Sequence, residues 1–247
     1  MMQLSREERL LKVESMTNVR DLGGYETQNG YYTKSHKFVR STNPGNLSKD
    51  EKEYLYDYGI RVQVDLRSDF EVDQQPSALK GYKDIEYYNI NLLQSKNLNV
   101  LPSEVRNYHD LSGFYVFMLE SNKEQFRQVF EIFYQHPYNA IMFNCSAGKD
   151  RTGVIAALLM DLAGCHEYDI VKDYSESYEN NLKVMAKLEE LVDEDNRAFL
   201  ESSPKMMMKF LDYLREHYGS AKEYLVQCGL EIEKIEEPMV KVNVFTP

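Results

Sequence analysis

The chain has 247 residues, of which 28% are charged, and a formal net charge of −11 at pH 7. This length suits one domain with a substantial core, and the acidic balance argues against a nucleic-acid partner or a general affinity for anionic membranes. Three cysteines cannot form a disulfide framework, residues 1–9 lack the apolar core of a signal peptide, and no apolar run is long enough to span a membrane. We therefore expect a cytoplasmic protein without stable membrane insertion.

The first half of the chain alternates predicted helices and strands. Ser48 is a suitable N-cap for a helix over residues 51–58, and strands are predicted at 60–66 and 85–91. Residues 92–111 carry Ser, Asn, Pro and charge without a clear period, so this segment is either a lid over a site or a plain connecting loop.

The second half begins with apolar residues at helical spacing, which predict one helix over residues 114–136. A buried strand is predicted at 140–143 and a helix at 154–162, with Gly164 as its C-cap. Further helical patterns cover 170–174, 182–192, 206–217, 221–226 and 230–235, and residues 238–247 are expected to form a tail. This alternation predicts an α/β fold in which residues 1–247 form a single domain, with a central, mainly parallel sheet flanked by helices.

The most informative segment is residues 144–153, Asn-Cys-Ser-Ala-Gly-Lys-Asp-Arg-Thr-Gly. It connects a predicted strand to a predicted helix, so its backbone N–H groups and the positive end of the helix can converge on one anion. Gly148 provides backbone freedom, and Arg151 offers a planar fork of donors for two phosphate oxygens. The predicted phosphate-binding residues are Ser146, Ala147, Gly148, Lys149, Asp150 and Arg151.

Cys145 is the predicted nucleophile of this loop. A thiol at a helix N-terminus near cationic groups has a pKa of roughly 3.5–7.5, against about 8.5 for a free thiol, so we expect Cys145 to react as a thiolate. Thr152 or Ser146 could donate to the sulfur when it leaves a phosphocysteine. Cys165 and Cys228 lack such surroundings and are predicted to be inert. The scattered histidines show no metal-ligand spacing, so neither a metal nor another cofactor is expected.

The pattern Cys145-x5-Arg151-Thr152 resembles the signature of cysteine-dependent protein tyrosine phosphatases. The longer loop sequence resembles a branch of bacterial and fungal tyrosine/lipid phosphatases, those of the mycobacterial PtpB and Listeria LipA type. The resemblance covers residues 18–235 approximately and implies the cysteine phosphatase fold. Segments that fit this branch are 18–25, 38–41, 64–68 with Glu71, 173–175, 218–220 and 224–225.

One position departs from that branch, which usually has His immediately before the nucleophile. Here the residue is Asn144. Asn donates and accepts hydrogen bonds but carries no charge, so we expect a weaker thiolate or a shifted pH optimum and retained function.

Two aspartates compete for the role of general acid to the leaving oxygen. Asp65 ends a predicted strand, at the edge of the sheet where sites form in α/β folds; its alternative role is an ion pair with Arg20, Arg40 or Arg67. Asp150 lies within the loop, and the resemblance to lipid phosphatases implies an acid at this place; its alternative role is to cap the following helix.

Four basic residues are candidates for supporting roles around the loop. Lys149 would contact a second phosphate or an acidic head group, or else remain solvated. Arg20, Arg40 and Arg67 would support the loop through carboxylates such as Asp21.

These observations predict a metal-independent phosphomonoesterase that works through a phosphocysteine intermediate. Phosphotyrosine in a protein or peptide is the first expected substrate, with dual specificity left open. A phosphoinositide or inositol phosphate is the alternative substrate, suggested by Lys149, so the partners expected are a phosphorylated protein, peptide or lipid head group. A phospho-binding pseudophosphatase is the alternative from another class, suggested by Asn144.

Overall fold

The computed structural model describes residues 4–93, 111–182 and 202–231. Its centre is a five-stranded sheet with the strand order β1-β2-β5-β3-β4. The strands are β1 (Arg20–Asp21), β2 (Phe38–Ser41), β3 (Ile60–Asp65), β4 (Glu86–Asn89) and β5 (Ala140–Asn144). All neighbouring strands are parallel except β1, which pairs antiparallel to β2. The predicted α/β fold with a central, mainly parallel sheet is therefore confirmed.

Helices cover both faces of the sheet. In the described part of the chain they are α1 (Arg6–Arg9), α2 (Lys49–Tyr58), α3 (Asp69–Gln74), α4 (Leu111–Ser121), α5 (Lys123–Gln135), α6 (Asp150–Leu162), α7 (Glu167–Asn180), α8 (Pro204–Tyr218) and α9 (Ala221–Gln227). None of the described helices is long and apolar enough to cross a membrane.

The central strand β5 shows how the two faces are built. All five of its residues are buried, as expected for a parallel strand covered on both sides. Ile141 and Phe143 pack into the larger apolar cluster with α4 to α9, whereas Ala140 and Met142 pack into a smaller cluster with Leu55 of α2. The alternation follows from the two-residue period of a strand.

The register of the strands brings the carboxyl ends of four parallel strands to one edge of the sheet, with those of β2, β5 and β3 side by side. Asn144, the last residue of β5, pairs with Ser41 at the end of β2 and with Asp65 at the end of β3. The loop that follows β5 therefore starts at the centre of this edge, where ligand sites form in open α/β sheets.

Several predicted elements match the structure closely. Ser48 caps α2 through a capping box with Glu51. The strands predicted at 60–66 and 85–91 are β3 and β4, each somewhat shorter. Gly164 lies just beyond α6 with a φ of +75°, the left-handed conformation common after a helix end. α6 begins at Asp150, four residues before the predicted start.

The prediction of one helix over residues 114–136 is wrong. Asn122 separates α4 from α5, with a φ of −127° and a ψ of 32°. Its side-chain Nδ2 donates to the carbonyl of Met118 at 3.0 Å, so the amide competes with the backbone for the last carbonyls of α4. The apolar spacing continues through Asn122 because both helices face the same core cluster.

Other predicted segments fall largely outside the described residues. These are the segments at 92–111, 182–192 and 238–247. Of the helix predicted at 230–235, the described Leu230 and Glu231 are not helical, and the other residues lie outside the described ranges.

Candidate active site

The loop after β5 places Cys145 between a strand end and a helix start. Cys145 follows Asn144 directly and is 2% exposed. Five residues later the chain enters α6, whose first turn contains Asp150, Arg151 and Thr152. The N-terminus of a 13-residue helix therefore points toward the thiol, and its unpaired N–H groups favour an anion there.

The loop carbonyls point away from the space that the loop encloses. The carbonyl of Ala147 accepts from Asn181 Nδ2 at 2.9 Å, and that of Gly148 accepts from Asn18 Nδ2 at 2.8 Å and Arg40 Nη2 at 2.9 Å. In a planar trans peptide the N–H points opposite to the C=O. The N–H groups of Gly148 and Lys149 are thus directed into the loop, as an anion site requires.

Gly148 is required by both its conformation and its surroundings. Its φ is +62°, and a Cβ added there would overlap the carbonyl of Ser41 and lie 2.8 Å from the backbone nitrogen of Thr42. A side chain at this position would push the loop away from the end of β2.

Arg151 is held by Glu71, a residue of α3. Its Nη1 and Nη2 donate to Glu71 Oε2 and Oε1 at 2.7 and 2.8 Å, and Ser146 Oγ donates to the same carboxylate. Burial alone would raise the pKa of Glu71, but the hydrogen bonds and charge of Arg151, with Ser146, lower that pKa to about 2. This pair uses two of the five guanidinium N–H donors and fixes the orientation of the others.

A buried ionic cluster supports the outside of the loop. Asp173 of α7 accepts from Arg20 Nε at 2.7 Å and from Arg40 Nη1, and all three side chains are essentially unexposed. Burial would raise the pKa of Asp173, but the positive charges of Arg20 and Arg40 hold it well below its usual range. Because Arg40 also donates to Gly148, the cluster connects α7 and β2 to the loop.

The carboxylate of this cluster was predicted incorrectly. Asp21, the predicted partner of the arginines, instead accepts from the backbone N–H of Gly23 and His36 at 2.8 and 2.6 Å. Its side chain shapes the turn after β1, and Asp173 takes the role in the ion pairs.

A second polar network lies beneath the loop at the end of β3. Asp65 is fully buried and accepts from Arg67 Nε and Nη2 at 2.9 and 2.7 Å. Tyr87 Oη and Asn144 Nδ2 donate to the same carboxylate at 3.0 and 3.2 Å. An ion pair with Arg67 is one of the alternatives that the sequence left open for Asp65. The Asp65 carboxylate also connects Arg67 to Asn144.

Asp150 lies on the other side of the loop and is partly exposed, at 26% of its side chain. Its Oδ1 accepts from Tyr115 Oη at 2.6 Å and lies 3.3 Å from Lys149 Nζ. The N-cap of α6 is Lys149, which forms no side-chain cap, so Asp150 does not cap the helix. Lys149 is 3% exposed and therefore not a solvated side chain.

A family model for the tyrosine phosphatase family matches residues 11–239. The chain belongs to the tyrosine phosphatase family. It is accordingly a phosphatase enzyme. A tyrosine-protein phosphatase from Nostoc commune is 34% identical over 223 residues, which cover 83% of this chain and 74% of the relative.

Two solved structures of TpbA from P. aeruginosa are more distant from this phosphatase. The first covers 87% of this chain and 92% of its own, with 13% identity and a TM-score of 0.37. The second, a complex with pTyr, covers 73% and 89% of the respective chains, with 12% identity and a TM-score of 0.33.

The remaining thiols and hydroxyls of the phosphatase differ in their environments. Burial raises the pKa of Cys165 to about 12 and that of Cys228 to about 11, so both thiols stay protonated at neutral pH. Ser146 is engaged by Glu71, whereas Thr152 Oγ1 is buried and has no hydrogen-bond partner in the part of the chain that the structure describes. Of these two hydroxyls, only that of Thr152 has no competing hydrogen-bond partner among the described residues.

Sequence reasoning assigned no role to several residues of this phosphatase site. Glu71 was noticed only as part of a motif, although its spacing from Ser68 marks the capping box that starts α3. Asn18 and Tyr115 reach the loop from distant parts of the chain, Asp173 acts on it through Arg40, and no local pattern identifies these partners. Within the described ranges, His, Cys, Asp and Glu form no group that could hold a metal ion.

Proposed function

We propose that the enzyme hydrolyses phosphotyrosine through a phosphocysteine intermediate. Cys145 attacks phosphorus, while the loop N–H groups and Arg151 hold the equatorial oxygens. Asp150 protonates the leaving oxygen of tyrosine, and Thr152 donates to the sulfur when water later displaces it. Electrons of the Cys145 sulfur form the S–P bond as the P–O bond to the substrate breaks. A water oxygen then bonds to phosphorus and gives a proton back to the Asp150 carboxylate, while the S–P bond breaks to restore the thiolate and release phosphate.

One observation carries this proposal: the thiol, the inward-facing amides and the guanidinium converge on one loop. Each component is held in place without a substrate, the amides by Asn18 and Arg40 and the guanidinium by Glu71. Donors fixed before the reaction need little reorganisation when charge develops on the phosphoryl oxygens.

The choice of Asp150 over Asp65 rests on accessibility and partners. Asp65 is fully buried and its two oxygens receive five donor groups, so little capacity remains for a proton directed at a substrate. Asp150 is partly exposed, and its Oδ2 has no hydrogen-bond donor among the described residues. A general acid needs an oxygen within reach of the leaving group.

The family membership and the name of the Nostoc relative support phosphotyrosine as the substrate class. The motifs at 18–25 and 144–153 support placement in the PtpB and LipA type branch. Three free, buried cysteines support a reducing, cytoplasmic location.

The substrate test is a panel of initial rates at equal phosphate concentration. The panel contains p-nitrophenyl phosphate, phosphotyrosine, phosphoserine and phosphothreonine peptides, and a soluble phosphoinositide, with Cys145→Ser as the matched control. We expect the highest kcat/KM on phosphotyrosine peptides and no turnover by Cys145→Ser, because a hydroxyl is far less acidic than a thiol.

Other outcomes of the panel identify the alternatives. A higher kcat/KM on the phosphoinositide would replace phosphotyrosine as the substrate. Binding of phosphopeptide without turnover of any ester would indicate a pseudophosphatase. Turnover by Cys145→Ser above contamination would rule out the thiolate mechanism.

A further inference from the structure

A pair of buried tyrosines lies behind Asp150. Tyr115 belongs to α4 and Tyr174 to α7, and both side chains are essentially unexposed. Their hydroxyl oxygens are 2.6 Å apart, and their rings pack edge to face at a centroid distance of 5.9 Å. Burying a phenol hydroxyl costs free energy unless it is hydrogen-bonded, so each of these hydroxyls needs a hydrogen-bond partner.

The direction of these hydrogen bonds follows from counting protons. Asp150 Oδ1 can only accept in its ionised form, so Tyr115 donates to it at 2.6 Å. Tyr115 has one hydroxyl proton, and therefore Tyr174 is the donor in the bond between the two hydroxyls. At 2.6 Å this oxygen acceptor takes the Tyr174 proton in preference to Met206 Sδ, a weak acceptor at 3.7 Å. Tyr174 and Tyr115 therefore form a series of two hydrogen bonds that ends on one carboxylate oxygen of Asp150, and each bond polarises the next.

These hydrogen bonds make the two oxygens of Asp150 inequivalent. Oδ1 receives Tyr115 and lies 3.3 Å from Lys149 Nζ, whereas Oδ2 receives no donor from the described residues. A proton is therefore more stable on Oδ2 than on Oδ1, since protonating Oδ1 would disrupt the bond from Tyr115. Burial and the nearby charge of Asp150 raise the pKa of Tyr115 far above its usual range, so its hydroxyl remains a donor throughout the working pH range.

We propose that Tyr115, oriented by Tyr174, is a positioning residue for the general acid. It fixes the Asp150 carboxyl through Oδ1, directs Oδ2 toward the leaving oxygen, and stabilises the carboxylate that remains after proton transfer. This inference rests on the proposed role of Asp150 as the acid.

The other charged groups around Tyr115 and Tyr174 are the same in both Tyr→Phe variants. Lys149 and Arg151 belong to the loop and the first turn of α6, Arg40 comes from β2, and Cys145 lies at the start of the loop. All of them remain unchanged when a tyrosine is replaced by phenylalanine. A difference between the two variants therefore reports on the hydroxyl that is lost.

The experiment compares Tyr115→Phe with Tyr174→Phe as its matched control. Both substitutions keep the ring, but only the first removes the donor to Asp150. For an alkyl phosphate, we expect Tyr115→Phe to lower kcat by about 10-fold, the effect of losing one hydrogen bond to a charged group. Its rate on p-nitrophenyl phosphate should change by less than about 2-fold, since a good leaving group scarcely needs the proton.

The pH profile gives a readout that a purely structural role would not affect. Without the Tyr115 donor the carboxylate is less stable, so Asp150 keeps its proton to higher pH. The alkaline limb of the kcat profile should therefore move to higher pH in Tyr115→Phe, and by a smaller amount in Tyr174→Phe. Equal shifts in the two variants, or no shift in either, would overturn the proposal.

Asp150→Asn separates this inference from the proposed function. If Asp150→Asn shows leaving-group dependence, Tyr115→Phe in that background should cause no further loss on alkyl phosphates. A further 10-fold loss would overturn the positioning role and leave the acid in place. If Asp150→Asn shows no leaving-group dependence, both the acid and its positioning residue are refuted.

A spectroscopic measurement does not depend on the folding of the tyrosine variants. In protein labelled at the tyrosine ζ carbon, Asp150→Asn should shift the NMR resonance of Tyr115 more than that of Tyr174. Unchanged resonances would show that no such bond exists in solution and would refute the proposal.

Discussion

At the residue scale, the two aspartates near the loop have opposite environments. Asp65 is enclosed by Arg67, Tyr87 and Asn144, whereas Asp150 is partly exposed beside Tyr115. Asp65 ends β3 and Asp150 follows the loop after β5, so both lie near the same edge of the sheet. Their spacing in the sequence therefore could not decide which of them is the general acid. The distinction depends on which neighbours fill the space around each carboxylate.

This difference leads to a prediction about leaving groups. Asp150→Asn should lower kcat on alkyl phosphates by about 10²–10⁴-fold, the usual contribution of a general acid, and affect p-nitrophenyl phosphate much less. Asp65→Asn should lower the rates on both substrates to a similar extent, because it loosens Arg67 and Asn144 beneath the loop. The measurement is steady-state kinetics on a series of esters with increasing leaving-group pKa.

The reverse pattern would identify Asp65 as the acid. Similar losses on every ester in both variants would mean that neither aspartate donates the proton. Thermal unfolding of both variants serves as the control, since Asp65→Asn breaks a buried ion pair and should lower the Tm more.

At the scale of elements, the shape of the loop after β5 depends on its close contact with the end of β2. Gly148 is the position where that contact is tightest, with its left-handed φ and the backbone of residues 41 and 42 against it. The strand and helix that flank the loop were recognisable from the sequence, because their apolar periods are strong. The contact with β2 was not recognisable from the sequence, because it joins residues more than a hundred positions apart.

Gly148→Ala should therefore disrupt the phosphate site. We expect a loss of kcat/KM of at least about 10²-fold, since a misplacement of about 1 Å at a reacting centre can cost this much. Gly30→Ala is the matched control: its φ is +75°, and an added Cβ there meets no atom within 4 Å. It shares the conformational strain of a left-handed alanine but lacks the clash. Equal losses in the two variants would attribute the effect to backbone strain alone.

The same contrast applies to the other elements. Helix α2 carries a capping box and β5 an apolar run, while β3 and β4 are rich in β-branched or aromatic residues, so the sequence predicted all four. Strand β1 has only two residues, both charged, and forms through its pairing with β2. Helix α3 has six residues with few apolar side chains, and its local signal is the capping box of Ser68 and Glu71. The break at Asn122 was missed because the apolar face continues on both sides of it.

At the scale of the whole molecule, the cluster of Arg20, Arg40 and Asp173 connects parts of the chain that are far apart in sequence. It joins β1, β2 and α7, and it reaches the loop through the bond from Arg40 to Gly148. The sequence identified both arginines, but the carboxylate lies more than 130 positions away and only the folded chain reveals it. Stability and site geometry therefore depend on the same buried charges.

Asp173→Asn should destabilise the fold and make its stability less sensitive to acid. Removing one partner of a buried ion pair costs about 3–5 kcal/mol, so the free energy of unfolding at pH 7 should fall by that amount. Glu167→Gln is the control from the same helix. Its ion pair with Arg215 is exposed, and such pairs contribute about 0–1 kcal/mol.

The pH dependence has a definite sign. Arg20 and Arg40 hold the pKa of Asp173 in the folded protein below its ordinary value of 3.8, which applies to the unfolded chain. At a pH between the folded and the unfolded pKa, the unfolded chain therefore binds a proton that the folded chain does not. The stabilisation is fully present above the unfolded pKa and is lost as the pH falls below it. Groups shared by wild type and variant titrate in both proteins and largely cancel in the difference. Urea unfolding at pH 7 and pH 3 should show the gap between wild type and Asp173→Asn narrowing by about 1 kcal/mol. A gap that stays constant or widens as the pH falls would show that Asp173 is not held ionised by the two arginines, and that the cluster stabilises the loop by packing alone.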